Sequence, residues 1–271
     1  IHHCVINVLS PFWTHIFIAN TYACIKGRGI QKCADDVGKA LMLDFAGTQF
    51  CLKTDITKYY DHIDHAVLKA ILRYTIDDED LLELLFKIID SNGKNVGLPI
   101  GNFTSQYLAN IYLAYFDHWV KEELARMVKQ KFGCKIYYFR YMDDMVFLAE
   151  TKEALQFVLD MAGLYLGAEL HVEFKHTWQI FPVDDRSIDF VGFKQNHYNI
   201  LLRKTILLKF YKKLEETQKH YLIKNEEDIK HLFPSEYGWI IKCSEPHKNF
   251  IFNKCINYGN IKIENRADLC R

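Results

Sequence analysis

Lys135-Ile136-Tyr137-Tyr138-Phe139-Arg140-Tyr141-Met142-Asp143-Asp144-Met145-Val146-Phe147-Leu148 places two apolar, aromatic-rich runs on either side of a tight acidic connection. Runs of this composition read as β-strands, over 135–140 and 145–148, joined as a hairpin. Asp is favoured in turns for its own backbone hydrogen bonding, which by itself would explain the pair. The flanks argue for more, because strongly apolar strands hold Asp143 and Asp144 at the end of a buried ribbon. Asp55 stands in a similar place, closing the buried-looking strand Phe50-Cys51-Leu52-Lys53-Thr54-Asp55. Brought beside the pair, it would repel both carboxylates unless a cation neutralised them. Oxygen-only ligands suit Mg²⁺ or Mn²⁺. Two such ions about 3.5–4 Å apart serve in-line phosphoryl transfer. Zinc fits poorly, since His2-His3 and His62-x-x-His65 have no Cys partners at finger spacing.

Around these strands, apolar spacing predicts helices over about 30–45, 66–74, 81–89, 104–129 and 152–166. Asp77-Asp78-Glu79-Asp80 supplies the acidic start expected of the third. Gly97-Leu98-Pro99-Ile100-Gly101 reads as a loop, and short strands are expected near 178–181 and 188–193. From about residue 203 the chain turns helical and basic, so a boundary is placed after 202. The fold class is α+β.

Composition narrows the setting. Of 271 residues 49% are hydrophobic, 25% charged and 14% aromatic, the balance of a globular protein rather than a disordered one. No uncharged apolar run approaches 18 residues, so no transmembrane helix is read. The eight cysteines form no Cys-x-x-Cys pair, and a reduced, cytoplasmic protein is expected. The start Ile1-His2-His3 reads as the beginning of a fragment. Basic and acidic residues number 34 each, which speaks against a histone-like nucleic-acid binder. The balance is segregated, however. Residues 201–271 hold 14 basic against 9 acidic residues, leaving 20 against 25 upstream. A carboxylate-bearing region thus precedes one suited to a phosphate backbone.

Asp55-Ile56-Thr57-Lys58-Tyr59-Tyr60-Asp61-His62-Ile63-Asp64-His65 resembles the first catalytic motif of reverse transcriptases, and Tyr141-Met142-Asp143-Asp144 resembles their Tyr-x-Asp-Asp box. Between them lies Gly97-Leu98-Pro99-Ile100-Gly101-Asn102-Phe103-Thr104-Ser105-Gln106-Tyr107-Leu108-Ala109-Asn110, similar to a third motif of the family. Tyr22–Gly29 looks like the nucleotide-facing fingers segment, and 188–193 like the primer-grip hairpin. Most family members read Gln-Gly, three residues, Ser-Pro in the middle motif. Here Ile100-Gly101, three residues, Ser105-Gln106 is similar to the enzymes of diversity-generating retroelements, which copy a template RNA with frequent errors at adenines alongside a small basic accessory protein.

The resemblance implies a right-hand polymerase with a ferredoxin-like palm sheet: fingers and palm over 1–202, with the most upstream fingers strands absent, and a helical thumb over 203–271. It implies RNA-directed DNA polymerase activity on template RNA, primer or cDNA, and dNTPs, with two Mg²⁺ ions or Mn²⁺ and no membrane. Asp55 and Asp143 become the principal metal ligands, joined by Asp144 and the carbonyl of Ile56. Tyr60 would lie under the incoming sugar and exclude a 2′-hydroxyl. Lys26, Arg28, Ile100, Gly101, Gln106 and Lys175 would face the nucleotide, with Lys26 and Arg28 substituting for an Arg that relatives carry where this chain has Ile25. Tyr141, Met142, Gly192, Arg203 and Lys204 would face primer and template. An apolar Ile100 in place of a polar Gln removes a contact that checks pairing geometry, which would weaken mismatch discrimination; the alternative is that Ile100 packs its loop. A group II intron-type enzyme, an antiphage-defence reverse transcriptase and an inert RNA-binding scaffold are the alternatives.

Overall fold

A computed structural model of the chain describes residues 2–99, 101–218, 221 and 223–257. Its packing separates two compact units, 1–186 and 187–271. The hairpin strands beyond residue 187 therefore group with the helical region, upstream of the 202/203 boundary read from composition.

The first unit is built on β1 (Phe50–Thr54), β2 (Ile136–Tyr141), β3 (Asp144–Ala149) and β4 (Gln179–Pro182). All neighbouring pairs are antiparallel, in the order β2-β3-β1-β4. Helices connect β1 to β2 and β3 to β4, so the unit is a βαββαβ arrangement of ferredoxin-like order. Alternation along the strands assigns the two faces. Leu52, Met145 and Phe147 are fully buried in the main apolar cluster. Lys53 is only partly buried and alternates to the opposite face.

The helices are α1 (His2–Thr14), α2 (Ile30–Leu43), α3 (Tyr59–His62), α4 (His65–Thr75), α5 (Glu79–Ile89), α6 (Phe103–Tyr112), α7 (Ala114–Trp119), α8 (Ala125–Phe132) and α9 (Lys152–Leu170). Their starts follow local chemistry. Asp64 caps α4 by accepting from the Ala66 and Val67 amides, Asp78 caps α5 and Thr151 caps α9.

The long helix expected over 104–129 is broken. It bends at Leu113 and carries a π-turn at Val120–Leu124. The reason lies in the inward stripe Tyr112, Phe116, Val120, Leu124 and Val128, all fully buried. Four successive steps of four residues would wind about 160° around a straight α-helix and leave the core. The bend and the wide turn absorb that drift, so every member of the stripe still faces the sheet side.

These interruptions also bring Asp117 inward, where it meets Arg140 of β2 with both side chains fully buried. Arg140 donates from Nε to Asp117 Oδ1 at 2.7 Å and from Nη2 to Oδ2 at 2.6 Å. Thr21 and Tyr138 donate their hydroxyls to the same carboxylate. Arg140 Nη1 reaches Asn110 Oδ1 and the Met142 carbonyl, while Asn110 Nδ2 donates to the Ala23 carbonyl. Backbone bonds from Arg140 N to Asn20 O and from Tyr22 N to Arg140 O dock the 20–22 segment on the β2 edge. Burial alone would discharge Arg140, but Asp117 holds its pKa above the usual arginine value.

The second unit contains β5 (Ile188–Phe190), β6 (Phe193–Gln195) and β7 (Ile200–Leu202) as an antiparallel sheet. It continues through α10 (Lys204–Gln218), α11 (Glu226–Leu232), α12 (Pro234–Ile240) and α13 (Glu245–Asn257). Phe210, Leu214, Ile229, Phe233, Ile240 and Ile251 form its helical core.

Asp117→Ala should be severely destabilising, because it leaves the Arg140 charge buried without a counter-ion. The expected loss is about 3–5 kcal/mol, read from the urea midpoint; a loss below about 1 kcal/mol would show that the pair carries little of the fold.

Candidate active site

The β1 register sets the site. Thr54 pairs with Met145, and Tyr141 with Asp144 across the hairpin. One residue beyond Thr54, Asp55 therefore comes level with Asp144. Asp55, Asp143 and Asp144 line one cleft of about 420 Å³, together with Lys53, Thr177 and Gln179. The connection between β2 and β3 is only Met142-Asp143, and Met142 lies in the left-handed region at φ 57°. A non-glycine residue tolerates that conformation when its surroundings over-determine it. Here the Met142 carbonyl is held by Arg140 Nη1 at 2.9 Å. The aspartates are thus aimed by a turn locked from below by a buried guanidinium.

Asp143 titrates above the usual carboxylate range. Burial is the main cause and the negative charge of Asp55 adds to it, against its own backbone amide, Arg140 and Lys175. Lys175 Nζ stands 3.3 Å from Asp55 Oδ2. Its place is fixed by the backbone, since Lys175 N donates to Asp55 O, Thr57 N donates to Glu173 O, and Ile56 bridges to Phe174. On the other flank, Lys53 Nζ lies 3.8 Å from Asp144 Oδ2. The donor set consists of half-buried, mutually repelling carboxylates, which fits a hard divalent ion. Among the described residues, no group of three or more His, Cys, Asp or Glu side chains is gathered tightly enough to hold a metal.

The neighbouring Tyr59 and Tyr60 divide their roles. Tyr59 is buried and donates to the Ala109 carbonyl, as a core aromatic does. Tyr60 is half-buried beside the turn, its hydroxyl 3.6 Å from Met142 Sδ, and burial pushes its pKa up to about 12. The loop after α5 is tied back here by Gly97 N to Ile63 O and Leu98 N to Tyr60 O. Gly97 has φ 86°, and a Cβ would come within 3.1 Å of the Asp61 carbonyl, so that close approach needs glycine. Ile100 lies outside the described residues. Gly101 follows at φ 100°, and Gln106 accepts from Cys24 Sγ, linking the middle motif to the 22–29 segment.

Other residues picked from the sequence sit elsewhere. Lys26 is exposed. Arg28 turns inward and donates to the carbonyls of Ile18 and Thr21, shaping its loop. Gly192, Arg203 and Lys204 belong to the second unit. A Cβ on Gly192 would strike the Trp239 ring at 2.4 Å, and Arg203 pairs with Asp189 and donates its amide to the Gly192 carbonyl. His65, set aside as a zinc ligand, bonds Asp90 and the Gly97 carbonyl. Sequence reasoning missed Lys53, Asn110, Asp117 and Arg140. Strand alternation could have found Lys53, two positions before Asp55. An acid inside an apolar helical stretch could have flagged Asp117.

An antiparallel βαββαβ sheet with aspartates at the end of β1 and in the β2–β3 turn is the palm of right-hand nucleic-acid polymerases. The family model described as "Reverse transcriptase (RNA-dependent DNA polymerase)" matches residues 1–194, and the chain belongs to that family. It is 26% identical over 132 residues to Protein YkfC of Escherichia coli (strain K12), covering 45% of this chain and 34% of that protein. With the Group II intron-encoded protein LtrA of Lactococcus lactis subsp. cremoris it shares 28% identity over 98 residues, 33% of this chain and 16% of that one. Among solved structures, telomerase from Candida albicans in complex with a TWJ fragment of telomeric RNA matches with a TM-score of 0.59 at 13% identity. That match covers 99% of this chain and 55% of the telomerase, so the likeness is one of fold. The chain spans about a third or less of the length of these two curated relatives.

The raised pKa of Asp143 has a consequence for stability. A carboxylate whose folded pKa exceeds its unfolded value stabilises the fold when protonated. That contribution is fully present below about pH 4 and is lost as pH rises through the folded pKa. Ionised Asp143 is therefore a cost at neutral pH. In chelator-containing buffer Asp143→Asn should melt a few degrees above wild type at pH 7, with the gain vanishing below about pH 4; equal melting curves at pH 7 would contradict it.

Proposed function

We propose that this chain catalyses RNA-directed DNA synthesis, of the error-prone kind found in diversity-generating retroelements. The observation that carries the reading is the strand register that brings Asp55 level with the Asp143-Asp144 turn in one cleft. Asp55 and Asp143 would hold two Mg²⁺ ions, or Mn²⁺, with Asp144 and the Ile56 carbonyl as further ligands. Bound there, such ions supply activation of the primer 3′-hydroxyl and charge stabilisation at the departing pyrophosphate.

The remaining tasks fall to the chain's own groups. Tyr60, packed beside Met142, presents its ring edge to the incoming sugar and excludes a 2′-hydroxyl. Lys175, whose backbone amide donates to the Asp55 carbonyl, would give a proton to the pyrophosphate. Lys26 offers a cation to the triphosphate, while Arg28 contributes by shaping the loop. Gly101 and Gln106 border the nucleotide. Tyr141 and Met142 meet the primer end. In the second unit, Gly192 of the primer-grip hairpin and Arg203 and Lys204 at the start of the basic thumb would contact primer and template. Template RNA, a DNA primer and dNTPs are the substrates, and a small basic accessory protein is the expected partner. No described helix is long and apolar enough to cross a membrane.

The Ile100-Gly101…Ser105-Gln106 frame supports the diversity-generating assignment. Similarity to the group II intron-encoded protein LtrA favours a second reading, an intron-type enzyme. Primer extension on an RNA template in Mg²⁺ tests the activity, and the wild-type chain should extend. Asp143→Ala should lower the rate at least about 1,000-fold, equivalent to about 4 kcal/mol, with an unchanged far-ultraviolet spectrum. A variant that still extends would remove the metal-site assignment. Ile100→Gln should reduce misincorporation opposite template adenines; an unaltered error spectrum returns Ile100 to a packing role.

A further inference from the structure

A second cleft, of about 520 Å³, lies in the first unit at the open end of the β2–β3 hairpin, opposite the aspartates. Its walls are the π-turn, α8 and the start of β2. Lys121, Arg126, Lys129 and Lys135 line it, all four exposed, together with Glu122 and the half-buried Tyr137. From Tyr137 to Asp143 the strand runs six residues, about 20 Å, so a nucleotide seated at the aspartates does not reach this cleft. The proposed reaction gives it no task.

The fold brings these cations together for local reasons. α8 turns Val128 to the core, which leaves Arg126 and Lys129 outside. Gly133, at φ 74°, ends the helix and lets the chain double back into β2, bringing Lys135 to the same cleft. Some of the cations also have neighbours. Lys121 donates to Asn20 Oδ1 at 3.2 Å, and Arg126 pairs with Glu123. Tyr137 donates its hydroxyl to Asp44 at 2.7 Å; that bond, the Gly47 amide and Lys135 hold the Asp44 pKa below the usual carboxylate range. The lining itself carries four positive charges against the one carboxylate of Glu122, although residues 1–200 hold 25 acidic against 20 basic residues.

Spacing and side-chain type select the ligand. Lys121 and Lys129 stand eight residues apart, about 12 Å along the helix. A single phosphate would meet one end of that row, whereas a chain of phosphates meets all of it. Lysines act as point charges that take phosphates without reading bases. An aromatic ring beside a basic groove is the platform on which unpaired bases stack. Among the substrates of an RNA-copying polymerase, the template is the long, unpaired polyanion, while primer end and dNTP are engaged at the aspartates.

We propose that this cleft binds the phosphodiester backbone of unpaired template RNA, as a tether separate from the catalytic cleft. The assignment rests on the polymerase reading above.

The test compares two fluorescein-labelled substrates. One is a DNA primer on an RNA template that ends one nucleotide past the primer. The other carries a further unpaired RNA overhang of about 30 nucleotides, longer than a site of this kind covers. Each is titrated with the chain in Ca²⁺ without dNTP, following anisotropy across a salt series. Replacing Lys121, Lys129 and Lys135 together by Gln should weaken binding of the overhang substrate roughly tenfold at about 0.1 M salt, and flatten its slope of log Kd against log salt by about two. Affinity for the short substrate, and kcat for extending it in Mg²⁺, should stay at wild-type values. The matching triple Arg replacement should keep wild-type affinity for both. Lys129→Gln alone, with a slope change of about 0.7, repeats the test should the triple variant fold poorly. Wild-type affinity and slope for the overhang substrate in the Gln variants, or an equal loss on both substrates, overturns the tether and leaves the polymerase reading in place. A loss confined to a DNA overhang of the same length also overturns it. A wild-type chain that binds neither substrate and extends no primer overturns both readings.

Discussion

The first unit depends on one buried ion pair. Arg140 and Asp117 lose their water entirely, and that desolvation is tolerated only because each is enclosed by partners of opposite need. Asp117 collects two guanidinium bonds and two hydroxyls, while Arg140 passes its remaining donors to Asn110 and to the Met142 carbonyl. An apolar pair of the same volume could stabilise as much, but it could not grip a carbonyl in a left-handed turn. What the pair contributes is position. It joins the helix that follows the middle motif, the 20–23 segment and the Asp143 turn into one rigid block.

Electrostatic roles are then divided by depth. Below the turn, charges are dry, paired and fixed. Above it, carboxylates are half-buried and crowded, with Lys175 hydrogen-bonded to Asp55 at 3.3 Å and Lys53 3.8 Å from Asp144. Along the sequence the charges are likewise segregated, with residues 201–271 net basic and residues 1–200 net acidic.

Much of this was legible in the sequence. The hairpin, the strand leading to Asp55 and the acidic helix start at Asp78 are local signals, each depending on neighbours within a few residues, and the structure has them where the pattern puts them. Features that depend on distant partners were not legible. Periodicity merged α6, α7 and α8 into one helix, because it cannot register where a stripe winds off a core. Arg28 carries no mark in the sequence that separates a solvated cation from one bound to carbonyls. Gly192 stands in a motif, yet its need for glycine comes from Trp239, dozens of residues downstream. Tyr59 and Tyr60 became distinguishable only when one hydroxyl was seen on Ala109 and the other on Met142.

The π-turn at Val120–Leu124 carries a consequence of its own. A wide turn holds one residue more than an α-turn, so it marks a place where chain length and helix phase are decoupled. Removing one residue there would let the wide turn close to an ordinary α-turn with Val128 still facing the core, whereas removing one from a regular α-turn rotates everything that follows by about 100°. The slack is one residue long, and it keeps Val128 buried while Arg126 and Lys129 stay exposed.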